Sequence, residues 1–174
     1  MHSILCVMKI IGFIDLDGNT EMVLKSDSCL LNNRKPFFIP DWTNDIQMTP
    51  CVVLRVSRLG KHIAPKFACR YFDAWAMGAD FMAYDVLQDA RQTQHAWTQG
   101  LDFDYSLAVG EWHDAESEPM QRELLIDSAA AIAQASQLMT IRQGDLIYIQ
   151  QRSGRRLVTH EDLIEDEGLY CKIK

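Results

Sequence analysis

The sequence lacks several features that would point directly to a class of function. It has no run of 18 or more apolar residues, so it predicts no membrane-spanning helix and no membrane partner. Repeats, low-complexity tracts and linkers rich in Pro, Gly and Ser are also missing, so we expect a single domain over residues 1–174. The net charge of −7 argues against nucleic acid as a partner.

Basic residues are sparse as well, and only one stretch of the sequence contains a cluster of them. This is QRSGRR, residues 151–156, which contains three of the 17 Lys and Arg residues of the chain. Charge runs of this kind usually lie on solvated surface, so we interpret the cluster as a solvated turn rather than an anion site.

Cysteine spacing and the N-terminal residues both predict a cytoplasmic protein. The five cysteines are odd in number and scattered, and no C-x-x-C or Cys/His pairing suggests zinc or a disulfide framework. Reduced thiols fit a cytoplasm best. The opening MHSILCVMKIIGFIDLD lacks a basic n-region and reaches acidic residues quickly, so it predicts a strand rather than a signal peptide.

Apolar periodicity predicts a β-rich α+β fold. Extended or alternating apolar runs separated by polar turns are typical of strands. We expect strands at residues 5–14, 22–24, 36–39, 51–58, 79–87 and 146–150, with further short strands near the C-terminus.

Two segments carry a helical pattern. After Pro65, the run KFACRYFDAWAMG has apolar residues at a broad helical spacing and predicts a helix over residues 66–78, closed by Gly78 as a C-cap. A second helix is predicted over residues 127–139, where Asp127 or Ser128 would cap the run AAAIAQASQLM.

Three motifs give the chain a family resemblance. RLGKHI (residues 58–63), GADFMAYDV (78–86) and FDYSLAVGEW (103–112) resemble, in order and spacing, the core of the fumarylacetoacetate hydrolase family. The resemblance is strongest over residues 36–112. It implies a mixed β-roll with flanking helices, usually a homodimer, that uses Mg²⁺ or Mn²⁺ to hydrolyse, decarboxylate or isomerise small 2-oxo or 1,3-dicarbonyl acids.

The metal ligands of this family are mostly missing at the matching positions. The resemblance places the two glutamates of the family's Glu-x-Glu on Thr49 and Cys51, and its aspartate ligand on Asp85, which is retained. We expect Asp85 to lie on a strand beside Thr49 and Cys51, whose i, i+2 spacing puts them on one face.

Other functional positions of the family are also changed. By the resemblance, the family lysine falls on Leu101, and the late Thr-Gly-Thr that contacts substrate falls on Ile149, Gln150 and Gln151. The early Gly-Arg-Asn-Tyr that opens the lid falls on residues 14–17. Lys25 keeps its family position and is the one candidate substrate-binding residue.

A hard divalent cation requires oxygen ligands with enough negative charge to replace its water. One aspartate with a hydroxyl and a thiol does this poorly, since Cys51 is a soft ligand suited to zinc or copper. A lone Cys on a buried strand is more often a core residue than a ligand. The sequence therefore predicts no bound cofactor and no catalytic residue.

Three functions are compatible with these residues. The leading hypothesis is a catalytically inactive family-like protein with a binding or assembly role, as a homodimer or as a heterodimer with an active relative. The second is an active enzyme of small oxo acids with a rebuilt site that uses Asp85, Lys25 and Cys51, with Mg²⁺ or Mn²⁺ as cofactor. The third is a domain that binds a small carboxylic acid in the old pocket. Fold alone does not decide among them.

Overall fold

A large mixed sheet dominates the computed structural model, which describes residues 8–116, 120 and 122–174. The strands are β1 Ile10–Leu16, β2 Asn19–Lys25, β3 Leu30–Asn32, β4 Ile46–Val56, β5 Phe72–Ala83, β6 Leu107–Asp114, β7 Leu146–Gln150, β8 Arg156–Leu157, β9 Leu163–Asp166 and β10 Leu169–Lys172. In the large sheet they run in the order β2-β1-β7-β4-β5-β6-β3, with β8 beside β4, and a separate hairpin pairs β9 with β10.

Helices are few, as expected for a β-rich α+β fold. They are α1 (Tyr84–Gln92), α2 (Thr98–Leu101) and α3 (Ser128–Leu138), with short 3-10 helices at Asp27–Cys29 and Pro65–Arg70. Among the residues that the structure describes, no helix is long and apolar enough to cross a membrane.

Both faces of the sheet are covered by a hydrophobic core. Because successive side chains of a strand point to opposite sides, each central strand contributes residues to both cores. The larger core includes Val52, Leu54 and Phe81 and extends to α3 and the C-terminal hairpin. The smaller core covers the opposite face and includes Cys51 and Tyr148. A strand buried on both sides reads as a nearly continuous apolar run, as the central strands β4 and β5 do.

Several predicted elements are confirmed. Residues 51–56 of the predicted strand 51–58 lie in β4, residues 22–24 lie in β2, and LIYIQ forms β7. The second predicted helix is α3, and its N-cap Asp127 accepts a hydrogen bond from Ala130 N–H at 2.8 Å. The predicted first strand, residues 5–14, lies partly outside the described residues, and β1 covers its second half.

The predicted helix at residues 66–78 is wrong. Residues 65–70 form only a 3-10 helix, and the chain then enters β5, which is buried along almost its whole length. Its apolar run mimicked a helical stripe because both sides of the strand face a core. Gly78 is therefore no C-cap: it lies inside β5 and pairs with Cys51.

The predicted strand at residues 79–87 is correspondingly too long. β5 ends at Ala83, and α1 begins at Tyr84. Asp85 thus lies in the first turn of a helix. The segment at residues 36–39 contributes one isolated bridge, from Phe37 to Ile173, rather than a strand.

Gly78 fills a place in the sheet that has no room for a side chain. A Cβ built on it would lie 2.9 Å from Ala108 O, from Cys51 Sγ and from Val53 Cγ2. Since one of these atoms is backbone, the neighbours cannot all move aside. Gly78 therefore sets the close packing of β5 against β4 and β6.

We predict that Gly78→Ala lowers the free energy of unfolding by about 1–3 kcal/mol, because it overpacks a filled core. The measurement is chemical denaturation of variant and wild type. Gln134→Ala on the exposed side of α3 is the control and should leave stability nearly unchanged. Equal stability of Gly78→Ala and wild type would contradict this packing.

Candidate functional site

The candidate site is built around Asp80, a residue that the sequence analysis did not identify. Asp80 lies in β5 directly opposite Thr49 of β4, and its side chain is completely buried. In β4, Thr49 and Cys51 stand two residues apart and thus share a face of the sheet. Cys51 packs in the smaller core, so the site lies at one end of that core.

Lys25 neutralises Asp80. At the end of edge strand β2, its Nζ lies 2.6 Å from Asp80 Oδ1, and both side chains have zero exposure. The same ammonium donates to the Ser106 carbonyl oxygen and to Ser106 Oγ, each at 3.1 Å. An ammonium has three N–H donors, and these acceptors use all three.

The second oxygen of Asp80 is held by an amide. Gln150, the last residue of β7, donates from Nε2 to Asp80 Oδ2 at 2.7 Å. Its Oε1 accepts the backbone N–H of Asp15 in β1 at 2.9 Å. Gln150 thereby joins three strands, and Asp80 has a protein donor on each of its oxygens.

Arg155 covers the open side of this arrangement. Its guanidinium donates from Nε to Thr49 Oγ1 at 3.3 Å and from a terminal nitrogen to the Asp15 carbonyl oxygen. It also lies 3.7 Å from the Asp15 carboxylate. The interpretation of QRSGRR as a solvated turn was therefore wrong for Arg155, which bridges β4 and β1.

Cys51 is held as a neutral thiol. Burial raises its pKa well above the ordinary value, and the nearby negative charge of Asp80 raises it further. A thiolate is the form that binds metals and attacks substrates. In this environment Cys51 acts as a small apolar residue of the core, as expected for a buried cysteine.

The prediction that Asp85 lies on a strand beside Thr49 and Cys51 was wrong. Its carboxylate accepts hydrogen bonds from Thr43 Oγ1 and from the Asn44 backbone N–H, so it orders the loop before β4. Ala83 pairs with Ile46 and Asp80 with Thr49, so Asp85 lies beyond the Ala83 end, about 10 Å or more along the strand direction.

The surroundings of Asp85 favour its charged form. Partial desolvation raises its pKa, but the hydrogen bonds from Asn44, Thr43 and Val86 together outweigh that effect and lower it. Stabilised carboxylates of this kind are typical of loop and helix starts. Asp85 thus has a local structural role that needs no metal.

Asp85, which the resemblance matched to the family's aspartate ligand, is thus apart from Thr49, whereas Asp80 lies opposite Thr49. Asp80 and Asp85 both belong to the motif GADFMAYDV, and only pairing between β4 and β5 distinguishes them. An aspartate inside an otherwise apolar strand was the available signal, since a carboxylate buried there needs a partner.

At positions 101 and 149–151, which the resemblance also matched, the side chains lack the functional groups that the family has there. Leu101, at the lysine position, is buried in the smaller core at the end of α2. Ile149 packs into the larger core on the opposite face, whereas Gln150 bonds to Asp80 and Gln151 lines the cavity beside Arg155. The role of Lys25 in substrate binding stays a prediction, and the three hydrogens of its ammonium are already used.

The residues present do not fit Mg²⁺ or Mn²⁺, the metals that the resemblance implies. Asp80 is the one carboxylate at the centre of the site, both of its oxygens accept from protein donors, and Cys51 is a neutral soft donor. Over the described ranges, no three His, Cys, Asp or Glu side chains group as ligands.

Comparison with known proteins agrees with the fold. No family model and no curated protein matches the sequence. Among solved structures, a candidate fumarylpyruvate hydrolase from Burkholderia cenocepacia superposes with a TM-score of 0.84 at 16% identity, covering 96% of this chain and 88% of that one. A candidate fumarylacetoacetate hydrolase family protein from Yersinia pestis gives 0.81 at 14% identity, covering 97% and 93%.

A third structure is that of fumarylpyruvate hydrolase from Pseudomonas aeruginosa in complex with Mn²⁺ and pyruvate. It superposes with a TM-score of 0.73 at 16% identity, covering 96% of this chain and 88% of that one. The chain therefore has the fold of fumarylacetoacetate hydrolase family proteins, and the predicted resemblance is confirmed at the level of the fold.

We predict that Lys25→Met lowers the free energy of unfolding by about 3–5 kcal/mol, because it leaves the Asp80 carboxylate buried without a counter-charge. The double change Lys25→Met with Asp80→Leu should recover a large part of this loss. Denaturant unfolding of wild type, the two single variants and the double variant measures the coupling.

The control is the exposed pair of Arg34 and Glu111, whose side chains are 73% and 59% exposed. Arg34→Met should change stability by less than about 1 kcal/mol. If Lys25→Met were as mild as Arg34→Met, the buried pair would not have the role described here.

Proposed function

We propose that this chain is a catalytically inactive protein of the fumarylacetoacetate hydrolase type that acts by binding or assembly. The observation that carries this proposal is the state of Asp80, whose two oxygens bind Lys25 and Gln150. Each oxygen of this carboxylate already accepts a hydrogen bond, and the side chain is completely buried. Beside Thr49 and Cys51, we therefore propose an internal polar contact in place of a bound metal.

The chemistry of the neighbouring residues supports the same conclusion. Metal-assisted reactions of carbonyl compounds need a cation that polarises an oxygen and stabilises developing negative charge. Thr49 and Cys51 offer one hydroxyl, which already accepts from Arg155, and one neutral thiol. These groups do not supply the negative charge that a hard cation needs.

The alternative is an active hydrolase, decarboxylase or isomerase of a small oxo acid with a rebuilt site. That reading relied on Asp85, Lys25 and Cys51 acting together. Asp85 instead orders the Thr43–Asn44 loop, Lys25 is wholly buried, and Cys51 is neutral. The geometry therefore favours the inactive protein.

A small carboxylic acid is the ligand class that we retain for a binding role. The cavity beside Arg155 has a volume of about 220 Å³, and Asp15, Thr49, Gln150 and Arg152 also line it. Ligand pockets usually occupy about 300–1,000 Å³. A ligand larger than a few heavy atoms would thus require movement of the segment that carries Arg155.

We predict no steady-state turnover of acylpyruvates or oxaloacetate with added Mg²⁺ or Mn²⁺. We also expect no turnover by the double variant Thr49→Glu with Cys51→Glu. In that variant position 101, which the resemblance matches to the family lysine, is still a leucine, and Gln150 still bonds to Asp80. Catalytic groups act together, so one repaired element recovers little. A kcat of about 1 s⁻¹ or more for wild type would contradict the proposal.

Assembly is the second part of the proposal, as a homodimer or as a heterodimer with an active relative. The apolar run from Phe67 to Met82 is a poor candidate for an interface, because most of it is the buried strand β5. Leu59 and Leu138 are better candidates, since each is 69% exposed. The backbone bridge between Gly60 and Ile141 brings their two segments together.

We predict a dimer mass by light scattering at micromolar concentration. Leu59→Asp with Leu138→Asp should shift the mass to that of a monomer, because charged groups are depleted from interface cores. Leu157→Asp is the matched control, since Leu157 is 54% exposed on a different segment and should leave the dimer intact. A wild-type monomer would contradict the homodimer, whereas loss of the dimer in the control alone would place the interface elsewhere.

A further inference from the structure

We propose that Gln150 and Arg155 form a built-in closure over Asp80 and Cys51, with Gln150 as a plug in the site and Arg155 as a latch across its mouth. The proposed function requires only that a metal does not fit. This inference goes further, because it assigns the closed state to two side chains that can be removed separately. It rests on the proposed function in treating the space beneath them as the remnant of a site.

Gln150 has the position and the bonds of a plug. It pairs with Cys51 across β7 and β4, and its side chain is completely buried. One end of the amide donates to Asp80 Oδ2 at 2.7 Å, and the other accepts from Asp15 N–H at 2.9 Å. Both polar ends are satisfied, so the amide can stay in the site without water.

Arg155 has the contacts of a latch. It joins Thr49 of β4 to Asp15 of β1, and its side chain remains 25% exposed. These contacts are made at the mouth of the site, one step nearer solvent than Gln150. The guanidinium therefore separates the buried amide from bulk water.

The segment before Arg155 is shaped for this contact. Gly154 adopts a φ of +97°, a left-handed conformation that a side chain rarely tolerates. A Cβ built on it would lie 2.9 Å from Pro50 Cγ. Glycine thus allows the segment to approach β4 between Thr49 and Cys51, where Pro50 has no N–H to leave unpaired.

The closure predicts which thiol becomes reactive when it is opened. Cys29, Cys51 and Cys171 are all buried, whereas Cys69 is exposed. Cys51 alone of these pairs directly with Gln150. Removing the plug should therefore expose Cys51 locally while Cys29 and Cys171 stay protected.

The experiment measures labelling of each cysteine in the native full-length protein with methyl methanethiosulfonate, followed by peptide mass mapping. The variants are Gln150→Ala, Arg155→Ala and the two together. Gln134→Ala is the matched control, because it removes a glutamine side chain from an exposed position on α3, away from the Asp80 contact. Cys69 serves as the internal reference for reagent activity in every sample.

We expect Cys51 to be labelled at least about tenfold faster in Gln150→Ala than in wild type, with a smaller increase in Arg155→Ala and the largest in the double variant. Cys51 labelling within twofold of wild type in all three variants would overturn the closure. A joint rise at Cys29, Cys51 and Cys171 would also overturn it, since Gln150 would then stabilise the whole fold rather than close one site.

These outcomes are separate from those that test the proposed function. Turnover or metal binding by wild type would overturn catalytic inactivity, whatever the labelling rates. Slow labelling of Cys51 in every variant would rule out the proposed roles of Gln150 as plug and Arg155 as latch. It would not affect the argument that Asp80, Thr49 and Cys51 do not fit a metal.

Discussion

The buried ion pair between Lys25 and Asp80 is the interaction on which the rest of the site depends. Transferring two charges into a protein interior costs several kcal/mol per ion, which only close contact and further hydrogen bonds offset. The 2.6 Å contact, the two bonds to Ser106 and the bond from Gln150 meet this requirement. They also tie the end of edge strand β2 to the middle of the sheet.

From this pair the polar contacts continue to the surface in a fixed order. Gln150 links Asp80 to Asp15, and Arg155 links Asp15 to Thr49. Each side chain supplies a hydrogen-bond partner for the next one toward the surface. Removing any one of these side chains therefore leaves a buried polar group without its partner. Both carboxylate oxygens of Asp80 are therefore bound to protein donors within this network.

Local sequence patterns predicted the fold class and the best-defined elements, including the Asp127 cap of α3 and the strand at residues 146–150. They failed where long-range pairing decides the outcome. Nothing near Asp80 in the sequence indicates that it faces Thr49, and nothing near Gln150 indicates that it reaches Asp80. The buried strand β5 looked helical because both of its sides are apolar, and α1 begins at Tyr84, where the strand was expected to continue.

The most direct test of the account is a crystal structure of the wild-type protein grown with millimolar MnCl₂ and measured for anomalous scattering from manganese. We expect no manganese peak beside Asp80, with Lys25 Nζ and the Gln150 amide still bound to its two oxygens. A manganese ion coordinated by Asp80, with Gln150 displaced, would contradict it.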